Sequence, residues 1–572
     1  IAAAICYWPP RLLSILVKKG TQIQEKLLFL LCATILVTTG QTLAIPTAPV
    51  TDELSITAFA YHEVLDDNYH LYWNTNGSHI VFKTEVKTNG YIGFGISPNG
   101  AMAKSDVVIG WVKDGQSHFA DRHAEGNFVP AVDTNQDWIL LSATEIGEFT
   151  TLTFMRKLVT CDPQDLSISN GTTRVIYSYT PTDPSSDSTV GYHGPTRRGT
   201  KSVLLLDPPT SEKNGKPLPD DVTTIDFFNK NVSLPAKDTY YRCTMWKLPP
   251  LAQKHHMIRY EPVIQPGHEQ LVHHILLYYC PANIDDKFVG TSFMCYDETP
   301  TELQDCDSVF ISWAVGGRIF NYPDVAGYSL GAPNDPIYLR METHYNNPSL
   351  QSDIVDSSGL RIYLTKQLRQ YDAGQIEVGV SVDAYQVIPP YEKSFISSGY
   401  CTQDCIGKTL GDQEIRVFAN FLHSHLLGRK IRTRHIRNGV ELPPILEDNA
   451  YDFNYQETRI LTEERVVKKG DLLLVECDYD STQRTQITHG GLKTTLEMCL
   501  SFLLYYPKAA LTRCLTNIDY KIPDQYKDQD FFSIIYSLDW TNPIVREAFK
   551  KDIEESGIND FCFLDNKPPV RS

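Results

Sequence analysis

Three short groups of side chains in this chain could do metal chemistry: the adjacent pair His273-His274, the alternating pair His423-x-His425, and the thioether of Met498. Imidazole and thioether suit a soft, redox-active ion, and Cu(I) accepts both readily, whereas Mg²⁺ and Ca²⁺ take oxygen ligands. Residues two apart on a strand share a face, so His423 and His425 can grip one ion without distorting the backbone. Adjacent strand residues point to opposite faces. His273 and His274 can therefore share an ion only at a bulge or a strand end. His255-His256 repeats that local pattern, and spacing alone does not separate the two adjacent pairs. The chemistry these groups favour is redox chemistry on copper.

The elements that must carry them read as short strands. Residues 81–87 alternate apolar and polar, Asn89-Gly90 marks a tight turn, and 91–100 and 107–112 read as core strands. Such text over residues 56–182 predicts an antiparallel sandwich. Residues 207–222, dense in proline and charge, read as a linker. Two further β-rich stretches follow: 223–368 carries His273, His274 and His344, and 370–520 carries His423, His425 and Met498. Residues 466–477 predict a hairpin with its turn at Gly470, and the tail, 521–572, holds a helix-friendly stretch from Pro543 to Glu555 and the last cysteine, Cys562.

Composition bounds the partners and the compartment. A net charge of −17 with no basic run argues against nucleic acid. The apolar run at 27–37, preceded by Lys18, Lys19 and Lys26 and followed by small residues at 42–44, reads as a leader, so residues 1–44 are expected to be a signal-peptide region. No later segment is apolar for about 20 residues, so no membrane span is expected in the mature chain. Asn76, Asn170 and Asn231 head glycosylation sequons. The 13 cysteines lack the paired spacing of a zinc site, which points to disulfides in an oxidising compartment. The secretory lumen or the extracellular space is the expected location, with membrane association left open.

Four motifs together resemble a known family. Leu271-Val-His-His-Ile-Leu-Leu-Tyr-Tyr-Cys280, Glu342-Thr-His-Tyr-Asn-Asn-Pro348, Phe421-Leu-His-Ser-His-Leu-Leu-Gly428 and Glu497-Met-Cys499 resemble, in order, the type II ascorbate-dependent copper monooxygenases. Glu261-Pro-Val-Ile-Gln-Pro-Gly-His268 and Tyr451-Asp-Phe-Asn-Tyr-Gln-Glu457 are similar to the dopamine β-hydroxylase-like branch. Gly90-Tyr-Ile-Gly-Phe-Gly-Ile and Ser105-Asp-Val-Val-Ile-Gly-Trp resemble a DOMON domain.

The resemblance implies an all-β chain: a DOMON-like sandwich, then two jelly-roll-like copper domains, stapled by disulfides. It implies two coppers per chain. His273, His274 and His344 would hold the electron-storing ion; His423, His425 and Met498 would hold the ion that meets O₂ and substrate, with ascorbate as reductant. It also implies the pairs Cys243–Cys295, Cys280–Cys306, Cys401–Cys514, Cys477–Cys499 and Cys405–Cys562, leaving Cys161 free or intermolecular. Leu422, Leu500 and Phe502 are expected beside the second site, which disfavours peptide amidation and suits a small hydrophobic or aromatic substrate, a phenethylamine among them. Met102, His118 and His123 in the DOMON-like stretch are expected to be structural rather than haem ligands, and a homodimer is left open. The competing expectation, from a different class, is a non-catalytic secreted copper-binding or adhesion-like glycoprotein acting through its DOMON-like domain.

Overall fold

A computed structural model describes residues 58–206, 217–306, 308–333, 335–520, 528–564 and 570–571. The leader region and most of the linker, 207–216, lie outside the described residues. The chain is mostly β-strand and divides into two compact units.

The first unit comprises residues up to 97, 101–167 and 176–199. It is built on two antiparallel sheets whose facing apolar rings, Phe82, Phe94, Trp138 and Phe154, pack at centroid distances of 4.9–6.2 Å. The turn at Asn89-Gly90 does not close a hairpin. It carries the chain from strand His79–Val86 in one sheet to Ile92–Ser97 in the other. Glycine is required at residue 90 because a Cβ there would lie 2.2 Å from the Thr180 carbonyl oxygen.

The second unit holds the histidine motifs. One long sheet runs through both β-rich stretches in the order Thr223–Phe228, Gly359–Thr365, His255–Val263, Ala326–Leu330, Tyr371–Val380, Cys499–Tyr506, Ile415–Ser424, Arg459–Val467. Its halves join through the parallel pairing of Ala326–Leu330 with Tyr371–Val380. A five-stranded sheet carrying Val272–Tyr279 and Tyr338–Asn346 shares one core with the first half, through Ile275, Leu277, Met341, Leu360 and Ile362. A four-stranded sheet, Phe395–Cys401, Asp471–Tyr479, Gly428–Arg437 and Val440–Asp448, shares the other core with the second half, through Val378, Leu503, Val475 and Cys477.

Two local expectations meet different outcomes. The helix Pro543–Glu555 forms, with the Asn542 side chain accepting from Ile544 N at its start. The hairpin at Gly470 does not: Arg459–Val467 pairs with Ile415–Ser424, while Asp471–Tyr479 pairs in the other sheet. Gly470, at φ +91°, serves a turn between sheets.

Five disulfides join Cys243–Cys295, Cys280–Cys306, Cys401–Cys514, Cys405–Cys562 and Cys477–Cys499. Cys161, expected free or intermolecular, is itself disulfide-bonded, through a bond outside those described. Asn76, Asn170 and Asn231 are all exposed. Among the described residues no helix is long and apolar enough to cross a membrane.

Candidate metal centre

The strands Val272–Tyr279 and Tyr338–Asn346 run antiparallel with one register break, between Val272 and His274. Val272 faces Tyr345 and His274 faces His344, so His273 is the extra residue of a bulge. That bulge lets two adjacent imidazoles turn toward one partner. The rings of His273 and His274 each lie 4.8 Å from that of His344, and one nitrogen from each lies within 4.8 Å of the others. All three are buried.

The nitrogens of this group are poorly satisfied. Nδ1 of His273 faces Nδ1 of His274 at 3.4 Å, and both nitrogens of His344 are buried with no hydrogen-bond partner. Each such orphan costs about 1–3 kcal/mol unless a ligand binds it. Burial, followed by the neighbouring imidazoles, pushes His273 down to about 3 and His344 well below the usual histidine range. His273 and His344 are thus neutral, as a metal ligand must be. His274 is oriented from behind by the buried Glu342 carboxylate, 3.4 Å from its Nε2, and Tyr278 and Tyr296 donate to the same carboxylate at 3.2 and 2.7 Å. Burial alone would raise Glu342, but the His274 bond and charge and the Tyr296 bond hold it below its usual range. With Nε2 engaged, His274 presents Nδ1. Tyr241 stacks on the far side of His344 at 4.4 Å.

A second group forms where strand Ile415–Ser424 ends. His423 is its next-to-last residue and His425 follows it, with rings 5.2 Å apart and nearly perpendicular. Nδ1 of His423 bonds to the Gln456 side-chain oxygen at 2.8 Å, and Nδ1 of His425 to the Leu496 carbonyl at 3.0 Å. Each Nδ1 is therefore the donor, and each Nε2 is left with its lone pair. Burial pushes His423 down to about 4 and His425 well below the ordinary range. The register pairs His423 with Leu500 and Ser424 with Cys499, so His425 and Met498 stand one step beyond its end. Met498 is buried in a cluster with Phe421, Leu500, Phe502 and Leu515. The buried Glu497 carboxylate shapes the turn, accepting from Ser424 Oγ, His425 N and Leu427 N at 3.0, 2.9 and 2.6 Å.

Other expectations sort themselves. Leu422 faces the opposite core, and Phe421, two residues before His423, takes the place expected of it. His256 spends both nitrogens, on Asp372 and on Arg369 N, and His255 bonds to the Gln253 carbonyl, so that pair is structural. In the first unit His118 stacks on Trp111 and His123 bonds to Asp133, while Met102 lies in a turn before Ser105–Lys113.

Comparison with known proteins decides the family. Residues 225–352 match the N-terminal domain and 371–527 the C-terminal domain of the copper type II ascorbate-dependent monooxygenases, and 65–180 match a DOMON domain. The chain is 44% identical to the chicken DBH-like monooxygenase protein 1 over 470 residues, covering 82% of this chain and 75% of the relative. The chain belongs to the copper type II ascorbate-dependent monooxygenases.

Within that family it is also 41% identical to the human DBH-like monooxygenase protein 1 over 512 residues, 84% of this chain and 82% of the relative. Human dopamine beta-hydroxylase is 35% identical over 467 residues, 80% and 75% of the two chains. The cytochrome b domain of a Coprinopsis cinerea pyranose dehydrogenase covers 24% of this chain and 76% of its own, at 12% identity and a TM-score of 0.21, too distant to carry an argument. Three residues in contact with the histidine groups had no role assigned from sequence: Gln456, Glu342 and Phe453. All three sat inside motifs that marked the family, but their partners lie far away in the chain.

Proposed function

We propose that His273, His274 and His344 hold one copper ion, that His423, His425 and Met498 hold a second, and that the chain hydroxylates a C–H bond of a small hydrophobic or aromatic substrate. The observation carrying this reading is the state of the ring nitrogens. The first group brings one nitrogen of each ring within 4.8 Å of the others and leaves both His344 nitrogens unpartnered, and the second ties both Nδ1 atoms to oxygens, leaving Nε2 for a ligand. The donor set, five imidazoles and one thioether, suits copper and suits zinc poorly. When bound, copper supplies one-electron redox chemistry and O₂ activation, with ascorbate as the reductant.

The protein's own part is to hold and to exclude. Glu342, Gln456 and the Leu496 carbonyl fix the ring tautomers, so the ligands need no rearrangement on metal binding. Phe421, Leu500 and Phe502 form an apolar wall beside Met498 that excludes water and offers no partner to a peptide carboxylate. A flat, apolar substrate fits that wall.

The test is ascorbate-dependent O₂ uptake by the copper-loaded chain over phenethylamines, neutral aromatics and glycine-extended peptides, with products read by mass. A gain of one oxygen on an aromatic member supports the reading. Copper bound with no coupled product from any member would favour the non-catalytic copper-binding alternative.

A further inference from the structure

Residues 448–459 touch both histidine groups and are anchored at their own base. Asp448, buried, accepts from Thr172 N, Thr172 Oγ1 and Arg459 Nη2 at 3.2, 2.6 and 2.6 Å, which closes the ends of the segment. Arg174 donates to the Ala450 and Tyr451 carbonyls at 3.0 and 2.7 Å; Thr172 and Arg174 belong to the same compact unit as the histidines. The Tyr451 hydroxyl donates to Ser424 O at 2.6 Å and accepts from Ser424 N at 3.0 Å, and Ser424 is the residue between His423 and His425.

Further along, Phe453 stacks on His273 at 4.4 Å and meets His425 edge-on at 6.1 Å. One side chain thus touches a ring of each group. Gln456 makes a second link. Its side chain accepts from His423, while its N–H donates to Val315 O at 3.3 Å, and Val315 N donates to His273 O at 2.8 Å. The approach is close enough that a Cβ on Gly316, which stands at φ +97°, would lie 2.5 Å from the Tyr455 ring.

We propose that residues 448–459 form a positioning strap that fixes the two histidine groups relative to each other, with Phe453 as the side chain both groups share. Nothing in the strap needs to meet substrate. Its effect comes through the orientation of His273, His423 and His425, and it rests on the two-copper reading above. Without Phe453 each group keeps its own ligands, but the one side chain that touches both is gone and the separation between the groups shifts.

The experiment loads wild type, Phe453→Ala and Phe453→Tyr with Cu(II) and records EPR spectra and steady-state kinetics. Dipolar broadening between two Cu(II) ions falls as the inverse cube of their separation, so it reads the strap without turnover. Wild type and Phe453→Tyr are expected to share one broadened spectrum. Phe453→Ala is expected to change the broadening with copper content and ascorbate KM unchanged, and kcat falls on the order of 10²-fold, the cost of a small misplacement. Should Phe453→Ala fail to fold, Tyr451→Phe removes the strap's bonds to Ser424 and is expected to change the spectrum the same way. Wild-type spectra and kcat in a folded variant would overturn the strap. Absence of broadening in the wild type with both groups loaded would overturn the two-site geometry, and the strap with it.

Discussion

Removal of two disulfides separates a general contribution to stability from a specific contribution to the second site. Cys477–Cys499 closes 22 residues and Cys280–Cys306 closes 26. Chain-entropy arguments for loops of this size give about 3.5 kcal/mol for each, so the two Cys→Ala double variants should lose nearly equal stability. Their neighbourhoods differ. Cys499 is covalently next to Met498 and paired with Ser424, whereas Cys280 and Cys306 pack in a small separate cluster with Met245, Leu303 and Tyr338. Urea unfolding of the metal-free proteins measures the first effect, and copper retention against a graded chelator measures the second. Similar midpoints are expected, with weakened copper retention only in Cys477→Ala/Cys499→Ala. Equal copper loss in both variants, or full retention in both, would refute the idea that this bond positions Met498.

Three shorter predictions follow from the same geometry. Met498→Leu conserves volume in an apolar cluster, so stability should change by less than about 1.5 kcal/mol while turnover is lost; full activity would remove Met498 from the ligand set. Glu342→Gln weakens the group that orients His274, and copper affinity at the first site should fall about 10- to 100-fold by competition titration. Burial pushes Glu457 up to about 7, so the folded chain binds a proton that the unfolded chain releases at lower pH. Stability from this group is full below the ordinary carboxylate range, declines as pH rises from there to about 7, and is then level, a total loss of up to about 3 kcal/mol. Glu457→Gln should match wild type in urea midpoint only below about pH 4, exceed it by a growing margin up to about pH 7, and hold that margin near pH 8.

How far the sequence could be read depended on the distance over which each contact acts. The rule that adjacent histidines need a bulge follows from strand geometry, and the register break at Val272–His274 meets it. The same rule could not choose between His255-His256 and His273-His274, because the choice depends on Asp372 and Arg369 reaching the first pair from over a hundred positions away. The exchange of Leu422 for Phe421 was legible, since Phe421, His423 and His425 share one alternation. The hairpin at Gly470 failed for a different reason. Alternation and a turn glycine fix two strands and a bend, but the sheet each strand joins is decided by burial against remote partners. Gln456 and Phe453 were quoted within a motif and still had no assignable role, because their partners are placed by the fold.

The central claim is that two histidine groups and one thioether hold copper. Copper K-edge absorption on the ascorbate-reduced, copper-loaded protein tests it most directly. A sulfur shell present in wild type and absent in Met498→Leu, with imidazole scattering in both, is the predicted result. Nitrogen-only scattering in the wild type, or a sulfur shell that survives the substitution, would contradict it.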